Sequence, residues 1–99
     1  MRSLSVSIVG ATGAVGVEFL DLLAKRDFPV GRLRLFGSAR SAGTRVPWRG
    51  GEIEVEDLAH ARVDGIELAL FSAGKSVSLE HAARFAKAGA VVVDNSSAF

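Results

Sequence analysis

Three glycines at intervals of three residues, Gly10, Gly13 and Gly16, follow an apolar run near the start of the chain. Because glycine has no Cβ, such a turn lets the backbone approach a ligand phosphate, which the first amides of the following helix then bind. The glycines could instead serve only the close packing of a strand on a helix. No Gly-Lys-Ser or Gly-Lys-Thr directly follows them, which excludes a P-loop. The predicted phosphate donors are the Thr12 hydroxyl and the backbone amides of Gly13, Ala14 and Val15.

A polar loop lies where NAD-specific sites usually carry an acidic residue, about 20 residues beyond the glycine turn. Here the sequence reads Phe-Gly-Ser-Ala-Arg-Ser at 36–41 and has no acid. The guanidinium of Arg40 can pair with a ribose 2′-phosphate, to which Ser38 and Ser41 can donate hydrogen bonds. These residues favour NADP over NAD; the alternative is an exposed polar loop with a solvated arginine.

Small and polar residues follow two further apolar segments. Ser72, Ala73 and Gly74 come after the first, and Asp-Asn-Ser-Ser at 94–97 comes after the second. Taken singly, these are ordinary turn and cap residues. If both segments are parallel strands, however, the two groups meet at one edge of the sheet. We expect residues 72–74 to lie beside the ribose and nicotinamide of a cofactor. The residues expected near a polar substrate are Asn95, Ser96 and Ser97.

The elements that must position these residues follow from periodicity and from turn residues. Strands are predicted at 4–9, 32–36, 66–71 and 90–93, a β-hairpin at 45–55, and one helical turn at 56–61. Helices are predicted at 14–26 and at 76–88, the second capped by Ser76 and followed by Gly89. Strands that alternate with helices form a parallel sheet covered on both faces. The predicted fold class is therefore α/β, a Rossmann-like doubly wound, mostly parallel sheet with a small β-hairpin excursion.

Composition narrows the possible functions of the 99-residue chain. Hydrophobic residues make up 48% and charged residues 23%, which is typical of one globular domain, and the net charge of +1 indicates no general attraction to nucleic acid or membranes. We find no membrane span and no signal peptide, and expect a cytoplasmic protein. The absence of cysteine excludes disulfides and a cysteine nucleophile within these residues. With only His60 and His81 as imidazoles, no metal site is expected.

Four motifs together resemble the N-terminal part of bacterial aspartate-semialdehyde dehydrogenases. They are Gly-Ala-Thr-Gly-Ala-Val-Gly at 10–16, Ser-Ala-Arg-Ser-Ala-Gly at 38–43, Phe-Ser-Ala-Gly at 71–74 and Val-Asp-Asn-Ser-Ser-Ala-Phe at 93–99. The resemblance implies a two-domain, usually dimeric enzyme of lysine, methionine and threonine biosynthesis. Such an enzyme interconverts L-4-aspartyl phosphate and L-aspartate 4-semialdehyde with NADP, through a cysteine thioester and a histidine acid/base.

The resemblance also implies roles for individual residues. The pyrophosphate-binding turn corresponds to Gly10, Thr12, Gly13, Ala14 and Val15. The 2′-phosphate contacts correspond to Ser38, Arg40 and Ser41, and the loop beside the nicotinamide ribose to Ser72, Ala73 and Gly74. The approach to the catalytic pocket corresponds to Asn95, Ser96 and Ser97.

Two departures from the family pattern are visible. Lys75 stands where the family commonly has glycine, and the catalytic cysteine, acid/base histidine and substrate-binding arginine match no residue here. We therefore expect residues 1–99 to be an incomplete N-terminal NADP-binding domain, inactive without a catalytic and dimerisation domain. The alternatives are a non-catalytic nucleotide-binding module, a structural domain with an empty turn, and an N-acetyl-γ-glutamyl-phosphate reductase. The motifs at 71–74 and 94–97 disfavour the reductase.

Overall fold

A computed structural model describes residues 3–94 of the chain. Six strands form one sheet in the order β3-β4-β2-β1-β5-β6, and β3 alone runs antiparallel to its neighbour among the paired strands. The elements in chain order are β1 Leu4–Val9, α1 Ala14–Lys25, β2 Val30–Gly37, β3 Arg45–Trp48, β4 Gly51–Asp57, β5 Leu68–Phe71, α2 Lys75–Lys87 and β6 Val91–Asp94. The predicted α/β, mostly parallel fold class is confirmed.

The centre of the sheet is β1, which pairs in parallel with β2 on one side and with β5 on the other. The chain therefore builds the sheet outward in one direction through β2 and in the opposite direction through β5. Where the strand order reverses in this way, one connection crosses one face of the sheet and the other connection crosses the opposite face. A crevice therefore opens beyond the carboxyl ends of the two strands. The glycine turn (residues 10–16) begins at this point.

The two helices cover opposite faces of the sheet, because neighbouring residues of a strand contribute to different cores. Ile8 belongs to the core that includes Leu20 and Leu23 of α1. Val9, the next residue, belongs to the core that includes Phe85 of α2. The ring of Phe85 meets two strand phenylalanines edge to face, with centroid distances of 5.6 Å to Phe36 and 5.1 Å to Phe71.

The β-hairpin extends the main sheet, since β4 pairs in parallel with β2 over Leu35–Gly37. The segment predicted as a helical turn at 56–61 differs from that prediction: β4 continues to Asp57, and the amides of His60 and Ala61 then donate to the Asp57 carbonyl. The strand continues because residues 55–57 find open hydrogen-bonding positions at the edge of β2. As a result, the turn after β4 reaches the same sheet edge as the glycine turn.

The predicted cap of α2 is wrong. The helix begins at Lys75 with Gly74 as its N-cap residue, whose φ of 105° favours glycine, so Ser76 lies inside the first turn. The predicted Gly89 after the helix is confirmed by its φ of 102°. In β6, by contrast, Val91 and Val93 are largely exposed, whereas the sequence predicts a continuous apolar strand. Within residues 3–94, neither helix is long and apolar enough to cross a membrane.

Candidate functional site: a cavity at the carboxyl edge of the sheet

A cavity of about 600 Å³ opens at the carboxyl edge of the sheet, where β1, β2, β4 and β5 end beside α2. Its lining brings together four segments that are distant in the sequence. The lining residues are Val9, Gly10, Thr12, Gly13, Gly37, Ser38, Ala39, Ser41, Asp57, Leu58, Ala59, His60, Ser72, Ala73, Val77, Glu80 and His81. This is the volume expected of a small-molecule or cofactor site.

The glycine turn depends on glycine at two of its positions. Gly10 has a φ of 89°, and a Cβ there would lie 2.9 Å from the Cα of Ala73. A Cβ on Gly16 would lie 2.3 Å from the carbonyl oxygen of Gly10 and would therefore overlap the backbone. Because of these close approaches, the turn packs tightly between the end of β1 and the start of α1.

The amides of the turn are only partly available to a ligand. Gly13 donates its N–H to the Gly10 carbonyl at 3.1 Å, so this predicted phosphate donor is used inside the turn. The amides of Ala14 and Val15 begin α1, where an α-helix offers no internal acceptor. They lie at the positive end of the helix dipole, which attracts an anion.

A second loop, the serine loop (residues 38–41), faces the glycine turn across the mouth of the cavity. The hydroxyl oxygens of Thr12 and Ser41 lie 3.3 Å apart, which is within hydrogen-bond distance. Arg40 is exposed between Ala39 and Ser41, both of which line the cavity. Two anion-binding groups predicted separately from the sequence are thus neighbours in space.

Ser72 and Ala73 close the side of the cavity that adjoins β5. The Ser72 hydroxyl donates to the Val9 carbonyl at 3.0 Å, and its backbone N–H donates to the same carbonyl at 2.9 Å. These bonds hold the end of β5 against the end of β1. The Ser72 hydroxyl therefore has a positioning role, and Ala73 lies directly beside Gly10.

The turn after β4 (residues 57–60, the capping turn) is organised by one carboxylate. Asp57 accepts hydrogen bonds from the Ala59 backbone N–H at 3.2 Å and from Nδ1 of His60 at 3.0 Å. The hydrogen bond from His60, followed by that from Ala59, lowers the pKa of Asp57 below its ordinary value. Asp57 is thus ionised and engaged within its own turn.

The neighbouring end of β4 is fixed by a bidentate ion pair. Glu56 accepts hydrogen bonds from Arg34 at 2.9 Å and 2.7 Å, and Arg34 also donates to the Arg62 carbonyl at 2.7 Å. The hydrogen bond to Glu56 raises the pKa of Arg34. These contacts tie β2, β4 and the following loop together.

The ionised Asp57 predicts a pH-dependent stability. Because the pKa of Asp57 is lower in the folded chain than in the unfolded one, its contribution is complete above the usual aspartate pKa of about 3.9 and is lost as the pH falls through the folded-state pKa. Asp57→Asn should therefore lower the midpoint of thermal unfolding at pH 7 but change it much less at pH 3. Asp21→Asn, at an exposed position on α1, is the matched control. An equal effect of Asp57→Asn at both pH values would contradict the prediction.

Of the eleven predicted site residues that lie within the described part of the chain, seven line this cavity. Gly10, Thr12, Gly13, Ser38, Ser41, Ser72 and Ala73 line it. Ala14, Val15, Arg40 and Gly74 are on the same segments but are not part of the lining. Asn95, Ser96 and Ser97 lie outside the described residues. Clusters of three or more metal-ligating side chains do not occur among residues 3–94.

The sequence analysis missed the wall formed by the capping turn and α2. The missed residues are Asp57, Leu58, Ala59, His60, Val77, Glu80 and His81. Two signals were available in the sequence. Asp57 and His60 have the three-residue spacing of a self-capped turn, and Val77 and His81 have the four-residue spacing that places side chains on one helix face.

A parallel sheet with helices on both faces, whose central strand ends in a tight glycine turn beside a cavity, defines a Rossmann-like nucleotide-binding domain. The chain belongs to the family described as semialdehyde dehydrogenase, NAD binding domain, which matches residues 5–99. This match indicates a nicotinamide dinucleotide as the cofactor class.

Sequence relatives agree with the family assignment. The aspartate-semialdehyde dehydrogenase of Legionella pneumophila is 51% identical over 98 residues, covering 99% of this chain and 28% of the relative. Those of Corynebacterium glutamicum and Bacillus subtilis are 50% and 48% identical over 98 residues, covering 96% and 99% of this chain and 28% of each relative. The chain therefore spans little more than a quarter of the length of these relatives.

Solved structures show the same fold. The aspartate semialdehyde dehydrogenase II of Vibrio cholerae, in complex with ASA, has a TM-score of 0.93 and 41% identity, over 97% of this chain and 31% of that one. A probable aspartate-semialdehyde dehydrogenase from Pseudomonas aeruginosa has a TM-score of 0.92 and 42% identity, over 99% of this chain and 29% of that one.

Proposed function

We propose that this domain binds NADP in preference to NAD, with the pyrophosphate on the glycine turn and the 2′-phosphate on the serine loop. The observation that carries the proposal is the 3.3 Å contact between the hydroxyls of Thr12 and Ser41, at the mouth of one cavity. It joins a helix N-terminus suited to one phosphate with a loop whose serines and arginine suit a second.

The distribution of acidic residues supports NADP. Residues 37–44 contain no carboxylate, whereas an NAD site uses one there to accept a hydrogen bond from the ribose 2′-hydroxyl. Asp57 could take the place of that carboxylate, because it pairs with Gly37 at the end of the adjacent strand and lines the cavity. Its two oxygens, however, already accept hydrogen bonds from Ala59 and His60. The serine loop therefore offers the ribose hydrogen-bond donors and the positive charge of Arg40, which suit a 2′-phosphate better than a 2′-hydroxyl.

The residues of the cavity fit a dinucleotide in size and chemistry. The tight approaches at Gly10 and Gly16 leave no room for side chains where the backbone must face a phosphate. In this arrangement the amides of Ala14 and Val15 hold the pyrophosphate, while Ser38, Arg40 and Ser41 hold the 2′-phosphate. We also assign Ala73 and Gly74 to the nicotinamide ribose side, with Ser72 fixing that loop. When bound, NADP supplies hydride transfer.

The activity that we propose for the whole protein is the interconversion of L-4-aspartyl phosphate and L-aspartate 4-semialdehyde, in lysine, methionine and threonine biosynthesis. Residues 1–99 would be its N-terminal NADP-binding domain, in a cytoplasmic homodimer that acts on a small molecule. Because the sequence has no cysteine, the acyl-forming nucleophile must come from outside these residues. We place Asn95, Ser96 and Ser97 on the approach to the substrate.

The cofactor assignment is tested by titrating the protein with NADPH and with NADH and following the fluorescence of the reduced nicotinamide. We expect NADPH to bind about tenfold or more tightly, because charge-assisted hydrogen bonds contribute roughly 1.5–3 kcal/mol. Equal affinities would overturn the NADP preference and leave a general dinucleotide site. If neither compound binds, the glycine turn has only a structural role in this chain.

A further inference from the structure

The end of the cavity that is lined by the capping turn and α2 combines apolar with polar side chains. Leu58 of the capping turn and Val77 of α2 line it, and Glu80 and His81 stand one turn further along α2. With phosphates assigned to the glycine turn and the serine loop, this end is the space left for the base of the nucleotide. Apolar side chains suit the faces of a planar base, so its identity must be read at its polar edge.

The imidazole of His81 is held in one tautomer by Arg84. An Arg84 NH group lies 2.7 Å from Nδ1 of His81, and the same guanidinium donates to the carbonyls of Leu58 at 3.0 Å and Ala61 at 2.7 Å. Because arginine can only donate, Nδ1 must be the acceptor, and the proton of the neutral ring lies on Nε2. Arg84 thereby fixes both the histidine and the capping turn that closes the cavity.

The proton on Nε2 points to the carboxylate of Glu80. Nε2 of His81 lies 3.1 Å from an Oε atom of Glu80, and the two side chains are 12% and 74% exposed, respectively. The cavity rim therefore presents one fixed donor, the Nε2–H group, beside one mobile acceptor, the Glu80 carboxylate. The carboxylate can rotate away from His81 at little cost because it is largely in water.

We infer that His81 and Glu80 recognise the 6-amino edge of adenine and so determine which base the domain accepts; this rests on the proposed dinucleotide binding. At its Watson–Crick edge, adenine presents an N–H donor at the 6-amino group beside the acceptor nitrogen N1. The amino group faces the Glu80 carboxylate, and the ring nitrogen accepts from Nε2 of His81. A base with a carbonyl at position 6 and a protonated N1 would place its carbonyl oxygen against the Glu80 carboxylate, so that two acceptors face each other. Its N1–H group would face the Nε2–H group of His81, so that two donors face each other. Hypoxanthine is such a base.

The test compares NADPH with its hypoxanthine counterpart, reduced nicotinamide hypoxanthine dinucleotide phosphate. Both carry the same phosphates and the same fluorescent nicotinamide, so the ratio of their dissociation constants reports only on the base. We expect the protein to bind NADPH about tenfold or more tightly, the discrimination given by one good pair of hydrogen bonds. His81→Phe and Glu80→Ala should each reduce this ratio to about twofold or less.

Glu18→Ala, which removes an exposed glutamate from α1, is the matched control and should keep the wild-type ratio. If His81→Phe unfolds, as judged by circular dichroism, the exposed Glu80 still provides a variant that leaves the core unchanged. Equal binding of both dinucleotides by the wild-type protein would overturn this inference while leaving the proposed function intact. Binding of neither would overturn the proposed function.

Discussion

Replacement of Gly16 by alanine should destabilise the domain by about 3 kcal/mol and abolish dinucleotide binding at concentrations that saturate the wild type. The reason is a collision with backbone: the new Cβ would lie 2.3 Å from the Gly10 carbonyl oxygen and 2.8 Å from the Cα of Ala11. Main-chain atoms cannot rotate away, so α1 must move off the end of β1. For a domain of this size the midpoint of thermal unfolding should fall by roughly 12–24 °C.

Gly13→Ala is the matched control, because it adds the same methyl group to the same turn. A Cβ on Gly13 would lie 3.5 Å from the Gly10 carbonyl oxygen, an ordinary contact, and its φ of −79° suits any residue. We expect this variant to stay within about 1 kcal/mol of the wild type. Calorimetric unfolding of both variants is the measurement. Equal stabilities for Gly16→Ala and the wild type would show that the turn is looser than the structure indicates.

Replacement of Arg40 by alanine should weaken NADPH binding about tenfold to a hundredfold and leave NADH binding nearly unchanged. The guanidinium is exposed on the serine loop, so removing it should cost the fold little. Its proposed partner, the 2′-phosphate, is present in only one of the two dinucleotides. Because the pair is exposed to solvent, the difference between wild type and variant should shrink at high salt.

The control for Arg40 is Arg45→Ala, which removes the same charge from an exposed position on β3. Arg45 faces Glu52 and Glu54 at 3.2 Å and 3.5 Å, and it does not line the cavity. Titration of both variants with NADPH and NADH separates local recognition from net charge. A parallel loss of NADPH affinity in Arg45→Ala would mean that general electrostatics, and not the serine loop, favours the phosphorylated cofactor.

The sequence by itself determined the order of the elements, the mostly parallel sheet and seven of the residues that line the cavity at three strand ends. Those features are encoded locally: strand and helix periodicities span a few residues, and the glycine spacing at 10–16 is typical of a tight turn from a buried strand into a helix. The alternation of Ile8 with Val9, or of Leu35 with Phe36, already divides the residues between two faces of a sheet.

Only the tertiary structure decided the far wall of the cavity. Asp57 and His60 lie on a turn that reaches the serine loop because β4 joins β2 in the sheet. Glu80 and His81 lie on α2, which contacts that turn through Arg84. Nothing local specifies that arrangement: β4 needs an open sheet edge beside β2, and Arg84 holds the segment after β4 through carbonyls more than twenty residues away in the sequence. A side chain's partners follow from the packing of distant segments, and for this reason the proposed base-reading pair could not be seen in the sequence.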